Sequence, residues 1–178
     1  MIRALSVLSR GLRRAEEVIL AGSILVIAAA TILNVFARSL FGSSLTFAEE
    51  LSEFLMVLVT FVGLAYATGL GRHIRMTALY DQLGPKAKKR TMLVITGSTS
   101  ALMLTLTWHA VAYVQTVYAL GSVSPVLRVP LFWVYLAAPL GLGLAGVQYA
   151  LAFAKNLARE EVYLSFSVKD EYEDSVHV

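Results

Sequence analysis

Residues 40–75 read LFGSSLTFAEELSEFLMVLVTFVGLAYATGLGRHIR. The middle of this stretch, from Phe54 to Leu70, carries no charge. Three carboxylates, Glu49, Glu50 and Glu53, crowd one end, and Arg72, His73 and Arg75 close the other. An uncharged apolar run of this length crosses most of a bilayer's hydrocarbon core. Acid at its start and base at its finish give the crossing a direction.

The rest of the chain is consistent with a membrane solvent. Of 178 residues, 57% are hydrophobic and 15% charged, and the mean hydropathy is +0.69. A soluble domain carries about 25% charged residues. The formal net charge of +3 comes from basic residues set between apolar runs, so it reads as topology and not as a nucleic-acid surface. The chain has no cysteine, which excludes disulfides, thiolate catalysis and cysteine-ligated metals or clusters.

Working outward, the spacing predicts four membrane-spanning helices at about 17–37, 47–70, 91–120 and 131–154. They form a membrane domain over 16–155, between a basic segment, 1–15, and a polar acidic tail, 156–178. Three readings of the basic segment stand: an amphipathic helix on the membrane surface, a flank that sets orientation, or a cleavable signal. No clear cleavage site follows, so the first span is taken as uncleaved. Arg38 ends it, and residues 39–45 form a short turn. Thr46 and Glu49 fit a capping box for the second span. Met76, Leu79, Tyr80 and Leu83 recur at helical spacing, which predicts a short amphipathic interfacial helix between spans two and three. The third span, about 45 Å long at 1.5 Å per residue, exceeds the hydrocarbon core and must tilt or project. Gly97, Ser98 and Ser100 are small enough for close helix contact. Pro139 predicts a bend in the fourth span, and Gly141 with Ala145 makes a small-xxx-small pair.

Lys and Arg number thirteen in the N-terminus, middle loop and C-terminus together, against Arg38 and Arg128 in the other two loops. That asymmetry places both termini in the cytoplasm. The fold class is thus an all-α integral membrane protein with four transmembrane helices and both termini cytoplasmic.

Candidate chemistry is sparse. Glu49 and Glu53 share a helix face with Glu50 beside it, so they could form a cation or proton site. The structural alternative is preferred: Glu49 caps, all three carboxylates complement the helix dipole, and Arg38 pairs with Glu49 or Glu50. His73 sits among snorkelling cations, and His109 has no second ligand in its helix. Asn34 and Gln115 read as bonds across helices. No nucleotide loop, catalytic triad or paired-histidine zinc site is present. Without mid-membrane ionisable groups, a subunit that supports another chain fits better than a self-sufficient pump. The competing readings are a self-assembling small ion or solute transporter or channel using Glu49 and Glu53, and a four-span membrane enzyme.

The order of Arg38, Phe41-Gly42, Ala48-Glu49-Glu50-Leu51, Gly63 and His73-Ile74, followed by Pro130, Trp133, Pro139 and Gly141, resembles the small permease subunit of tripartite ATP-independent periplasmic (TRAP) transporters, the DctQ-like family. The likeness covers roughly residues 18–154. It implies a bacterial inner-membrane subunit that scaffolds a large permease in sodium-coupled uptake of an organic acid such as a dicarboxylate or sialic acid. It implies as partners that large permease subunit, a periplasmic substrate-binding protein and membrane lipids, with no nucleic acid. It implies no cofactor, sodium coupling residing in the large subunit. Structural or interface roles are expected for Arg38, Glu49, Glu50, Gly63, His73, Pro130, Trp133, Pro139 and Gly141.

Overall fold

A computed structural model describes residues 2–70 and 84–158, with side chains from Arg14 onward apart from those of Pro85 and Lys86. His73 and the expected interfacial helix at 76–83 lie outside the described residues, as does the tail from 159. Five helices follow in order: α1 (Ile2–Phe41), α2 (Thr46–Gly69), α3 (Pro85–Ala119), α4 (Leu131–Tyr135) and α5 (Ala137–Ala158). Four stretches are long and apolar enough to cross a membrane: Arg14–Phe41, Thr46–Gly69, Ala87–Ala119 and Leu131–Ala158.

The helices satisfy their own backbones, as a segment in hydrocarbon must. Their hydroxyls do the same. Thr31, Ser52, Thr60, Thr68, Thr96, Thr105, Thr107 and Thr116 each donate to the carbonyl four residues earlier. Such a hydroxyl costs its helix little in lipid and is not held out toward a ligand.

The basic N-terminal segment belongs to the first helix, which runs unbroken from Ile2. Two points depart from the sequence expectation. That helix passes Arg38 and ends at Phe41, where Gly42 takes φ +69° and turns the chain. The capping box at Thr46 does not form: Leu45 holds the cap position, with no side-chain cap bond, and Thr46 is already helical. Asn34 serves the turn instead. Its Oδ1 accepts the Leu45 amide at 2.7 Å and its Nδ2 donates to Glu49 Oε1 at 3.2 Å. The amide thus pins the α1–α2 hairpin from across the gap, which frees Thr46 from that task.

The bend in the last span falls where a proline puts it. Pro139 has no N–H for the Tyr135 carbonyl, and the helix breaks at Leu136, between α4 and α5. Beyond the break α5 shows small residues on two faces. A Cβ on Gly141 would strike the Phe61 carbonyl of α2, with the carbonyl carbon at 2.7 Å. On the other face a Cβ on Gly146 would lie 3.0 Å from Leu104 of α3, and one on Gly97 3.1 Å from Phe153. Ser100 donates across the same contact to the Gly146 carbonyl at 3.1 Å. Ser98 takes no part in it: exposed, it bonds the Ile95 carbonyl of its own helix. Gly63 behaves differently from Gly141, since a Cβ there would meet only Leu20 at an ordinary 3.7 Å. Its expected role in close packing is not seen within this chain.

These contacts give the arrangement. α1 packs along α2, α2 along α5 and α5 along α3. Among the described residues neither α1 with α3 nor α1 with α5 forms a comparable contact, so the spans make an open row and not a closed bundle. At one end of the row Tyr66 donates to Glu17 at 2.8 Å, joining α2 to α1.

Two outcomes are expected from purified protein followed by thermal unfolding. Gly141→Leu will lower stability by about 3 kcal/mol or more through overpacking, whereas Gly63→Ala will leave the isolated chain within about 0.5 kcal/mol of the parent. Asn34→Leu will cost about 1–2 kcal/mol, because the Leu45 amide loses its acceptor.

Candidate functional site

The polar chemistry of the chain gathers where α2 begins and the loop between α3 and α4 folds back. That loop is more ordered than its two prolines suggest. Gly121, at φ +60°, closes α3: its amide reaches the Tyr118 carbonyl at 3.0 Å and the Ser122 amide reaches Val117 at 3.4 Å. This pair of bonds is the Schellman ending that a glycine in the left-handed region supports. The chain then doubles back. Ser124 N–H donates to the Val129 carbonyl at 2.9 Å, Val129 N–H to Ser124 Oγ at 3.1 Å, and Leu131 N–H to the Ser122 carbonyl at 3.0 Å. Arg128 stands at the tip with φ +56°, its side chain exposed.

This small hairpin is tied to α2 by Glu50. One carboxylate oxygen, Oε2, accepts the amides of Val126 at 3.2 Å and Leu127 at 2.6 Å. Glu50 is only 7% exposed, and its other oxygen, Oε1, is shut from solvent with no donor among the described residues. Successive helix residues are about 100° apart round the axis, so Glu50 faces the loop while Glu49 and Glu53 share the neighbouring, exposed stripe. The three line a cavity of about 470 Å³ whose other walls include Phe54, Val57, Val126, Val134 and Tyr135. Among the described residues no three His, Asp or Glu side chains converge as metal ligands.

An aromatic group braces the same end. Phe132 meets Tyr118 edge-on at 5.1 Å and Trp133 at 5.0 Å, and Tyr135 meets Tyr113 edge-on at 5.3 Å. These contacts hold α4 against α3. Trp133 remains 64% exposed, as an interfacial tryptophan is.

The expected site residues therefore separate. Glu49 and Glu50 come together with Glu53. Pro130 caps α4 and accepts the Trp133 amide through its carbonyl at 3.2 Å. Pro139 and Gly141 are both buried, and Gly141 lies against Phe61 of α2. Arg38 does not join the acids: it is exposed and forms no ion pair with Glu49 or Glu50, which have taken Asn34 and the loop amides instead. His109 and Gln115 are exposed on α3, and Gln115 makes no bond across helices among the described residues. Sequence reasoning missed the acceptor role of Glu50, because its partners are backbone amides with no side-chain signature. The paired prolines at 125 and 130 around Arg128 were the available sign of a folded loop.

Residues 27–159 match the family described as Tripartite ATP-independent periplasmic transporters, DctQ component. The ectoine TRAP transporter small permease protein TeaB of Halomonas elongata is 41% identical over 160 residues, 90% of this chain and 83% of that protein. The C4-dicarboxylate TRAP transporter small permease protein DctQ of Rhodobacter capsulatus is 31% identical over 128 residues, 67% of this chain and 56% of its own length. The four apolar spans and these matches agree, and the chain belongs to the DctQ family, as a multi-pass small permease component of a TRAP transporter and not an enzyme.

Proposed function

We propose that this subunit is a scaffold: it widens the membrane-fixed part of a large permease subunit, which carries the solute path and the sodium coupling. The observation that carries this reading is the open row of helices. Only 6% of the apolar window of α1 is buried within the chain, and the figure rises to no more than 33% in the last span. Long apolar faces without partners in the chain suit lipid and a second membrane protein. The threonine hydroxyls within the spans bond their own helices and Ser100 is taken up by the α3–α5 contact, so the described residues offer no convergent polar site at mid-membrane. A periplasmic binding protein delivers the solute in this reading, and the complex sits in the bacterial inner membrane.

The solute is an organic acid. The two relatives are named for ectoine and for a C4-dicarboxylate, which makes those the first compounds to test, with sialic acid third. Both termini are cytoplasmic and the acidic end of α2 is periplasmic, on the strength of the thirteen-to-two distribution of Lys and Arg.

Reconstitution tests the division of labour. Liposomes holding this subunit alone will take up no solute under a sodium gradient with binding protein present; those holding both subunits will. Uptake by this chain alone would instead favour an ion or solute path past Glu49 and Glu53. For orientation, a reporter fused after Val178 is expected to read cytoplasmic and one inserted at 121–124 periplasmic; the reverse pattern would overturn the topology.

A further inference from the structure

We propose that the cavity beside Glu49, Glu50 and Glu53 is a binding site for a guanidinium group, supplied by an arginine of the large permease subunit. The inference rests on the scaffold reading above and adds to it a specific polar contact.

Three observations converge. The first is charge. Three carboxylates line one cavity, and the chain's two cations at that end, Arg38 and Arg128, are exposed and pair with none of them among the described residues. The second is Glu50. One of its oxygens accepts both loop amides, and the other is buried with no donor among the described residues. A carboxylate held out of water in this way calls for an opposite charge close by. The third is the shape of the lining. Phe54, Val57 and Val134 make an apolar wall beside the acids. An arginine matches both parts, with its methylene stem along the wall and its charged head among the carboxylates.

The same features exclude other occupants. No metal-ligand cluster forms among the described residues, and a bare ion would leave the apolar wall unused. Glu49 and Glu53, one helical turn apart on the same face, present two acceptors that a planar fork of five N–H donors spans better than a compact ammonium. The source follows from permanence. Glu50 Oε1 finds no donor among the described residues, and a partner bound throughout the cycle meets that need. A binding protein that docks and leaves does not meet that need.

The chain has no cysteine, which makes a direct test available. Glu53→Cys provides a single thiol on the cavity wall of the full-length subunit. Its reaction with a cationic and an anionic methanethiosulfonate reagent is measured for the subunit alone, with the co-expressed large subunit, and after adding binding protein. The cationic reagent is expected to react at least tenfold faster with the subunit alone, and both reagents to slow at least tenfold in the two-subunit complex. Equal rates for the two reagents would overturn the cationic preference. Unchanged labelling in the complex, or protection only after binding protein is added, would overturn the assigned source. In parallel, Glu53→Gln is expected to cut salt-resistant co-purification of the large subunit at least fivefold with the subunit's own melting temperature unchanged. A reversal of one large-subunit arginine to glutamate, combined with Glu53→Arg, is expected to restore it. Full co-purification by Glu53→Gln would sink the pocket proposal alone. Failure of the unmodified chain to co-purify would instead sink the scaffold reading.

Discussion

The fold depends on one seam. α1 and α2 form one hairpin, α3 and α5 the other, and the broad contact that joins them is α2 against α5. In lipid, apolar side chains gain nothing by leaving one hydrocarbon environment for another, so helices associate through close packing and hydrogen bonds. Gly141 supplies the closeness, because any side chain there would occupy the position of the Phe61 carbonyl. Ala145, wholly buried one turn later, continues the same stripe. α5 repeats the device on its other face, where Gly143 meets Thr107 and Gly146 meets Leu104 and Met103. One helix with two small-residue faces thus carries both of its neighbours.

Glu50 crosses the same seam by different means. It sits on α2 and binds the loop that follows α3, so it ties the two hairpins at their acidic end by charge-assisted bonds where Gly141 ties them by shape. The two ties are unequal in what they demand. A close backbone approach is complete within the chain. A buried carboxylate with one oxygen lacking a donor is not, and the low local dielectric that strengthens its bonds to Val126 and Leu127 also raises the cost of what is missing. The incompleteness therefore lies on the interaction that orients the loop, and the loop in turn carries Arg128 in its left-handed conformation.

Much of this was legible in the sequence, for definable reasons. Span number and place follow from unbroken apolar length, which the bilayer enforces directly. The break near Pro139 and the closeness at Gly141 follow from residues that lack, respectively, an N–H and a Cβ. Apart from the close packing expected at Gly63 and the end of the first helix, the expectations that failed concern which polar group reaches which. Thr46 and Glu49 satisfy the pattern of a capping box, yet Asn34, eleven residues before Leu45, takes the amide. Arg38 and Glu49 have opposite charges across a short turn, yet an amide and two backbone N–H groups claim the acids first. Spacing shows which partners are within reach. It does not rank them, and backbone donors are invisible to it.

The openness of the row has a consequence for transport itself. A ring of helices has an inside that can be lined with polar groups; a row has only two outsides. Along both faces of this row the spans present apolar side chains, and the exposed hydroxyls of Thr31, Thr60, Thr105 and Thr116 are turned onto their own backbones. A charged solute leaving water needs replacement for its hydration at each depth. The described residues offer replacement at the acidic end, where Glu49, Glu50 and Glu53 meet, and no continuation of it toward the membrane centre. This is why the scaffold role proposed above assigns the solute path to another chain. In that proposal this one presents a wide apolar wall, stiffened at its seam by Gly141 and Glu50, against which such a chain can move.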